Sequence, residues 1–202
     1  MTTGPATALL LIRHGQSTWN AEGRWQGQAD PPLSDFGRWQ ATTAATALGQ
    51  LDVIVSSPQR RALETAVIIG DGLGVGPVHV VEDLRERLAG PWSGLTGPEI
   101  EASWPGWIGD GRRPEGYEPD APLAARTRAA LDAVAGEFPG ATVLVVCHGG
   151  VIRTLEATLG IADGRIPNLA GRVLHHDGRC MRPGERLELV PHGPVDQADR
   201  RV

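Results

Sequence analysis

Residues 9–20, with the sequence LLLIRHGQSTWN, hold the feature that decides the fold, because an aliphatic run stops abruptly at polar residues. The run covers residues 8–12, and its short length and aliphatic composition favour a buried, central β-strand. Arg13, His14 and Gly15 follow directly, so they fall at the carboxyl end of that strand, where open α/β sheets bind ligands. Arginine offers a planar set of donors to an anion, and histidine offers a nucleophilic nitrogen. The stretch therefore predicts an anion site at one edge of an α/β sheet.

Length and charge narrow the class of protein. The chain has 202 residues, which suits one α/β domain with a full core and is too short for two. The net charge of -5 and the lack of a basic tract argue against nucleic acid as a partner. All 19 basic residues are arginines, so mechanisms that need a lysine nucleophile are excluded.

Cysteine usage and the first residues favour a cytoplasmic protein. Cys147 and Cys180 form neither a disulfide framework nor a Cys-x-x-Cys metal pattern. The chain does not start with the basic segment and cleavable apolar core of a signal peptide, and no apolar run reaches the length of a membrane span. We therefore expect a cytoplasmic protein with no membrane partner.

Short apolar runs and helical periodicity alternate along the chain. We predict strands at residues 7–12, 51–55, 78–81 and 141–146, and a closing antiparallel pair at residues 172–176 and 185–190. We predict helices at residues 34–48, 58–69, 98–103 and 122–138, and a last helix that follows residue 150 and ends near residue 159. Residues 1–6 and the stretch from His192 onward are expected to be a loose lead-in and tail around an ordered core of about residues 7–190.

Polar side chains follow four of these strands. Arg13 and His14 end the first, Arg61 lies after the second, Glu86 follows the third and His148 follows the fourth. Because the carboxyl ends of parallel strands meet at one edge of a sheet, we expect these side chains to form one site. Two arginines select a phosphate or carboxylate ligand, and a carboxylate beside that anion is then present for proton transfer. Two histidines with one glutamate at these separations do not predict a metal site.

The motifs around these residues resemble the histidine phosphatase superfamily, in the branch that includes cofactor-dependent phosphoglycerate mutase. The resemblance rests on five segments in the order of the family: Arg-His-Gly with Ser17, Trp19 and Asn20; GRWQGQADPPLSDFGRWQA at residues 23–41; SSPQRRALETA at residues 56–66; LRERLAGPWSGLT at residues 84–96; and VVCHGGVIR at residues 145–153. It covers about residues 8–160. It implies a phosphoglycerate mutase-like fold of the α/β class, a three-layer α/β/α sandwich. The whole chain, residues 1–202, is then a single histidine phosphatase domain with residues 92–120 as a cap or lid.

The resemblance also implies a mechanism without a metal or a cofactor. His14 attacks phosphorus and becomes a phosphohistidine, while Glu86 protonates the leaving alkoxide and then activates water. The implied catalytic set is His14, Glu86, His148, Arg13 and Arg61, with His148 protonated. The implied substrate-binding set is Arg13, Asn20, Gln26, Arg61, His148 and Gly149.

Several activities fit this family. A phosphomonoesterase that hydrolyses a small phosphorylated metabolite is favoured, because the stretch between Glu86 and His148 is too short for the long basic cap of the mutases that the chain resembles. Mutase-type phosphoryl transfer is the first alternative. A non-catalytic phosphate-binding module is the second, but it predicts loss of a catalytic residue and none is lost. A protein-phosphohistidine phosphatase fits less well, because such members lack the acid that Glu86 supplies. The substrate and the oligomeric state, monomer or homodimer, stay open.

The segment of residues 92–120 is the least regular part of the chain and is expected to select the substrate. Trp104 and Trp107 are expected to pack onto the core. Arg112 and Arg113 are expected to be solvated, with contact to an anionic substrate as the alternative. The histidines that match no motif are expected to be structural or solvated: His79, His175, His176 and His192.

Overall fold

A six-stranded mixed sheet forms the centre of the molecule. The computed structural model describes residues 6–162 and 164–190. The strands are β1 (Thr7–Arg13), β2 (Val53–Ser56), β3 (Val78–Val80), β4 (Thr142–Cys147), β5 (Ala170–His176) and β6 (Met181–Glu188). Their spatial order is β3-β2-β4-β1-β5-β6; the first four are parallel, whereas β5 runs antiparallel to β1 and β6 antiparallel to β5. This confirms the mostly parallel sheet with an antiparallel edge.

The described chain has six α-helices; the last five occur in the predicted order with ends displaced by a few residues, whereas the first lies where no helix was predicted. They are α1 (Thr18–Glu22), α2 (Asp35–Ala47), α3 (Arg60–Leu73), α4 (Gly97–Ser103), α5 (Asp120–Glu137) and α6 (Gly149–Thr158). Ser34 caps α2 by accepting a hydrogen bond from the Gly37 amide, as its sequence position predicts. α3 runs past its predicted end because Gly74 is the residue that takes the left-handed conformation and stops it.

Each face of the sheet carries its own core, which confirms the three-layer arrangement. Successive side chains of a strand point to opposite faces. Leu11 of β1 therefore packs with Leu131 of α5 and Ile152 of α6, whereas the next residue, Ile12, packs with Ile69 of α3 on the other face. Burial of each such side chain contributes about 1.5–3 kcal/mol, so the helices of both layers hold β1 rigidly in place.

The closing hairpin differs from its prediction. β6 begins at Met181 rather than at residue 185, because Met181 pairs directly with His176 across a short turn. Residues 1–5 of the predicted lead-in, and the predicted tail with His192, lie outside the described residues. None of the helices within the described ranges has the length and apolar character needed to cross a membrane.

Aromatic rings anchor the irregular segment of residues 92–120. Trp92 is fully buried, and its ring contacts the rings of Trp25, Trp104 and Tyr117. Ring pairs of this kind add about 0.5–1.5 kcal/mol to the free energy of burial. The packing predicted for Trp104 is therefore confirmed, whereas a role of the segment as a cap stays a prediction.

The two neighbouring arginines of this segment behave differently. Arg112 is exposed, as expected for a solvated side chain; it pairs with Asp110 at 3.0 Å, and its guanidinium lies 5.2 Å from the ring centroid of Trp107. Arg113 is half-buried, and its guanidinium lies 5.4 Å from the ring centroids of both Trp92 and Tyr117. The expectation that Arg113 is solvated is wrong, because the faces of two aromatic rings attract its charge.

Candidate active site

A cavity opens at the edge of the sheet where β1, β2 and β4 end. All but one of the residues predicted for the site line it: Arg13, His14, Asn20, Gln26, Arg61, Glu86 and Gly149. The exception is His148, which is fully buried, with its ring centroid 5.2 Å from that of His14. The tertiary structure therefore brings the predicted site residues together.

Hydrogen bonds determine which nitrogen of His14 carries a proton. The Nδ1 atom lies 2.6 Å from the carbonyl oxygen of Gly15, and a bond to a carbonyl requires a proton on Nδ1. The Nε2 atom accepts a hydrogen bond from Nε of Arg61 at 3.1 Å, so it is unprotonated. Burial lowers the pKa of His14 well below its usual range, and the charges of Arg61 and Arg13 lower it further. The ring is therefore neutral, with Nε2 as its nucleophilic atom.

The two arginines of the site are buried and held by backbone carbonyl groups. Arg61 is 1% exposed and donates to the carbonyl oxygens of Ala29 and Gly27 at 2.8 and 3.0 Å. Burial lowers its pKa to about 10, and the nearby Glu86 carboxylate opposes that shift, so the guanidinium stays charged at neutral pH. Arg13 is buried as well and donates to the carbonyl oxygen of Ile166 at 2.9 Å. Two fixed positive charges at the cavity wall favour an anionic ligand.

Backbone amides orient the Glu86 carboxylate. Its Oε1 accepts from the Arg87 amide at 2.7 Å, and its Oε2 accepts from the Gly150 amide at 3.1 Å, at the start of α6. The Glu86 amide in turn donates to Oε1 of Gln59 at 2.7 Å. The carboxylate is thus held at the cavity wall, where it can exchange a proton with a bound ligand.

Burial determines the protonation of His148 in the free protein. Its Nε2 lies 2.8 Å from the Ser57 hydroxyl, and its Nδ1 is a buried atom with no hydrogen-bond partner among the described residues. Burial lowers the pKa of His148 well below its usual range, and Arg61, His14 and Arg13 add to the effect. The ring is therefore neutral in the free protein, whereas the protonated ring expected with a bound phosphate stays a prediction. A neutral ring keeps one N–H group, so it remains a hydrogen-bond donor.

The donor set of the site is unlike that of a metal centre. Over residues 6–162 and 164–190, no group of three or more histidine, cysteine, aspartate or glutamate side chains is arranged to hold a metal ion. Cys147, at the end of β4, is fully buried, and burial raises the pKa of its thiol, so it is not available as a thiolate.

A comparison with known families decides the assignment. The model of the histidine phosphatase superfamily (branch 1) matches residues 9–175, which is most of the chain. The chain belongs to this superfamily. The matched range includes every residue that lines the cavity, and also His148 beside it.

Relatives of this histidine phosphatase are named as phosphatases. The glucosyl-3-phosphoglycerate phosphatase of Mycobacterium tuberculosis is 43% identical over 169 residues, which are 76% of this chain and 75% of the relative. The metal-independent phosphoserine phosphatase of Arabidopsis thaliana is 35% identical over 181 residues, 84% of this chain and 76% of the relative. A solved structure of the mycobacterial glucosyl-3-phosphoglycerate phosphatase with VO3 has a TM-score of 0.78 and 36% identity, over 88% of this chain and 96% of that one. These relatives are consistent with hydrolysis of a small phosphomonoester.

Asn20 and Gln26 line the cavity but also have structural contacts. The Oδ1 atom of Asn20 accepts from the Ser17 amide, and Ser17 caps α1 in return. The Oε1 atom of Gln26 accepts from the Ser17 hydroxyl at 2.8 Å. Because both side-chain oxygens accept hydrogen bonds from Ser17, the amide nitrogen is the end of each side chain that remains to serve an anion.

Sequence reasoning missed three residues that organise the site. Ser57 contacts His148, and Gln59 contacts Glu86; both lie in the segment of residues 56–66, where their position next to Arg61 could have indicated a role. Asn168 donates from Nδ2 to the His14 carbonyl oxygen at 2.7 Å. It follows a loop far from the motifs, so the sequence carries no signal for it.

Arg126 of α5 clamps the segment that carries Glu86. Its Nη1 donates to the carbonyl oxygens of Asp83 and Arg85 at 2.6 and 2.7 Å, and its Nη2 donates to that of Glu86 at 3.2 Å. The same guanidinium pairs with the half-buried Glu118 at 2.8 Å. One side chain thus fixes the course of the backbone that presents the carboxylate.

Arg126→Ala is expected to lower kcat for alkyl phosphates about tenfold and the free energy of unfolding by about 1–3 kcal/mol, because Glu118 and three carbonyl groups lose their donor. Urea unfolding and steady-state kinetics measure the two effects. Arg128→Ala is the control, since Arg128 is a half-buried arginine of the same helix whose ion pair is with Asp132 of that helix. If both variants behave alike, the clamp has no part in placing Glu86.

Gly150→Ala is expected to lower kcat/KM for alkyl phosphates about 10- to 100-fold. A Cβ at this position would collide with the Glu86 carboxylate, whose Cδ would lie 3.0 Å away. A displacement of about 1 Å at a catalytic group costs about 10²-fold in rate. Gly136→Ala is the control, because nothing lies within 4 Å of a Cβ there. Wild-type kinetics for Gly150→Ala would contradict the assigned position of the carboxylate.

Proposed function

We propose that this protein is a metal-independent phosphomonoesterase that acts through a phosphohistidine on His14. One observation carries the proposal: the bond from Nδ1 to the Gly15 carbonyl leaves Nε2 as an unprotonated nucleophile beside the charged Arg61. A neutral imidazole next to fixed guanidinium groups suits attack on the phosphorus of an anionic ester.

In the first step the site transfers the phosphoryl group to the protein. Arg13 and Arg61 hold the phosphoryl oxygens, and the ring of His148, whose centroid lies 5.2 Å from that of His14, donates to them. The Nε2–P bond forms as the ester P–O bond breaks, and the Glu86 carboxylic acid gives its proton to the leaving oxygen. The cavity-lining Asn20, Gln26 and Gly149 are the further substrate contacts.

In the second step water regenerates the protein. The Glu86 carboxylate takes a proton from water, whose oxygen attacks phosphorus as the Nε2–P bond breaks. Inorganic phosphate leaves, and both His14 and Glu86 return to their starting protonation states. A phosphate dianion near His148 raises the pKa of that ring, so its donor strength is greatest while the ligand is bound.

The substrate is proposed to be a small phosphorylated metabolite. The relatives are named for glucosyl-3-phosphoglycerate and phosphoserine, which are both phosphate esters of small hydroxy acids. The cytoplasmic location stays a prediction, and the oligomeric state stays open.

The proposal is tested by phosphate release from a panel of phosphomonoesters with purified protein in excess chelator. We expect release by the wild type at an unchanged rate after chelation. Loss of activity on chelation would contradict metal independence, and the absence of release from every ester would contradict the proposed hydrolysis. In the second case transfer between phosphoglycerates would test the mutase alternative.

The lowered pKa of His14 predicts its behaviour with pH. The folded protein binds this proton only at a lower pH than the unfolded chain does, so the ring stays neutral in mildly acidic solution. The free energy of unfolding therefore falls as the pH drops below 6.5, the usual pKa of histidine. Titration of the ring by NMR, assigned with His14→Ala, measures this directly. A titration midpoint at or above 6.5 would contradict the neutral nucleophile.

A further inference from the structure

Arg153 is a half-buried arginine that the mechanism does not use. It lines the same cavity as His14 and Glu86. Within residues 6–162 and 164–190 its side chain makes no hydrogen bond or ion pair. In contrast, Arg87 on the same cavity wall pairs with Asp120 at 2.7 Å, and Arg61 donates to two carbonyl groups and to His14.

The position of Arg153 on α6 places it on the leaving-group side of the site. Gly149, Gly150 and Arg153 share one face of the helix, because residues three and four apart are neighbours on its surface. The Gly150 amide binds the Glu86 carboxylate. Arg153 therefore lies slightly less than one turn, about 4.5 Å along the axis of α6, beyond the amide that binds the Glu86 carboxylate.

The charge at this position needs a partner. Arg13 and Arg61 already offset the charge of the phosphoryl group, and a half-buried guanidinium without a counter-charge is costly. A carboxylate carries one negative charge, which a single guanidinium offsets, and its two oxygens match the planar guanidinium group. A second phosphate group would carry nearly two negative charges. The chemistry of the subsite therefore fits a carboxylate.

We propose that Arg153 binds a carboxylate of the substrate, a few bonds from the ester oxygen, and so selects phosphate esters of hydroxy acids. The inference rests on the proposed function, since it assigns the leaving-group side from the role of Glu86. It adds a specificity residue that has no part in the transfer of the phosphoryl group.

Two ligands that differ only at the carboxylate test the proposal. 3-Phosphoglycerate and glycerol 3-phosphate are compared as competitive inhibitors of p-nitrophenyl phosphate hydrolysis. This assay measures the binding of both compounds whether or not the protein also hydrolyses them. For the wild type we expect the Ki of 3-phosphoglycerate to be at least about tenfold lower than that of glycerol 3-phosphate, because a hydrogen bond to a charged group contributes that much affinity. For Arg153→Gln we expect that Ki to rise about 10- to 100-fold, with the Ki of glycerol 3-phosphate changed less than about threefold. Arg128→Gln, at a half-buried arginine of α5 that pairs with Asp132, is the control and should match the wild type.

Three results would overturn the inference: equal Ki values in the wild type, a ratio that Arg153→Gln preserves, or an equal rise of both Ki values. Failure of the proposed function is separate, because it appears as the absence of p-nitrophenyl phosphate hydrolysis that depends on His14. In that case calorimetric binding of the same two ligands to the wild type and to Arg153→Gln gives the ratios directly.

Discussion

Replacement of His14 by alanine is expected to lower kcat for phosphate esters roughly 10⁴- to 10⁶-fold, the scale seen when a covalent nucleophile is removed. The substituted protein should still bind substrate, because Arg13 and Arg61 are held by backbone carbonyl groups and not by His14 alone. KM should therefore change far less than kcat. Stopped assays with an alkyl phosphate at high protein concentration measure both parameters.

The phosphorylated protein gives a second readout for His14. Brief mixing with a labelled phosphate ester, followed by quenching, should leave label on the wild type that is stable in alkali and lost in acid, as expected for phosphohistidine. His175→Ala is the control, because His175 is an exposed histidine on β5. Acid-stable label, or label that persists in His14→Ala, would disprove the assignment of the nucleophile.

Replacement of Glu86 by glutamine is expected to give losses that depend on the leaving group. Glutamine keeps the shape of the side chain, and its oxygen can still accept from the Arg87 amide, but it has no acidic proton to give. Hydrolysis of alkyl phosphates should fall about 10²- to 10⁴-fold, since general acid–base catalysis contributes that much. p-Nitrophenolate leaves without protonation, so the first step with p-nitrophenyl phosphate should be slowed less than about tenfold.

Hydrolysis of the phosphohistidine, the second step, still needs Glu86 as a base, so Glu86→Gln should slow this step even with p-nitrophenyl phosphate. With p-nitrophenyl phosphate, Glu86→Gln should release a rapid burst of p-nitrophenol equal to the amount of protein, followed by slow turnover. Rapid-quench kinetics detect the burst. Glu137→Gln, an exposed glutamate at the end of α5, should show wild-type behaviour. Equal losses for alkyl and aryl esters, with no burst, would mean that Glu86 is not the acid and base.

Strand patterns in the sequence were sufficient to predict the edge of the sheet where the site lies. The apolar runs that precede His14 and His148 form two central strands, β1 and β4, which pair side by side with Arg13 opposite Cys147. Parallel register brings the residues after both strands to the same place, which is why the sites predicted from separate segments coincide. The positions of Arg61 and Glu86 follow in the same way from their neighbouring strands.

Such patterns do not predict contacts between residues that are far apart in the chain. Arg126 resembles any helical surface arginine in the sequence, and only the packing of α5 against the Glu82–Leu84 turn places it on three carbonyl oxygens. Arg113 was expected in solvent, yet the approach of Trp92 and Tyr117 from other turns of the same segment draws it onto their rings.

The sequence by itself determined the α/β class, the edge of the sheet that carries the site and the residue types gathered there, because these depend on local periodicity and on the direction of strands. Only the tertiary structure decided the state of those residues. The neutral His14 with an unprotonated Nε2 and the neutral His148 follow from burial and from partners distant in the chain, and the place of Arg153 at the cavity follows from the packing of α6. A pKa and a hydrogen-bond partner are properties of the assembled surroundings, and those surroundings exist only after the layers have packed.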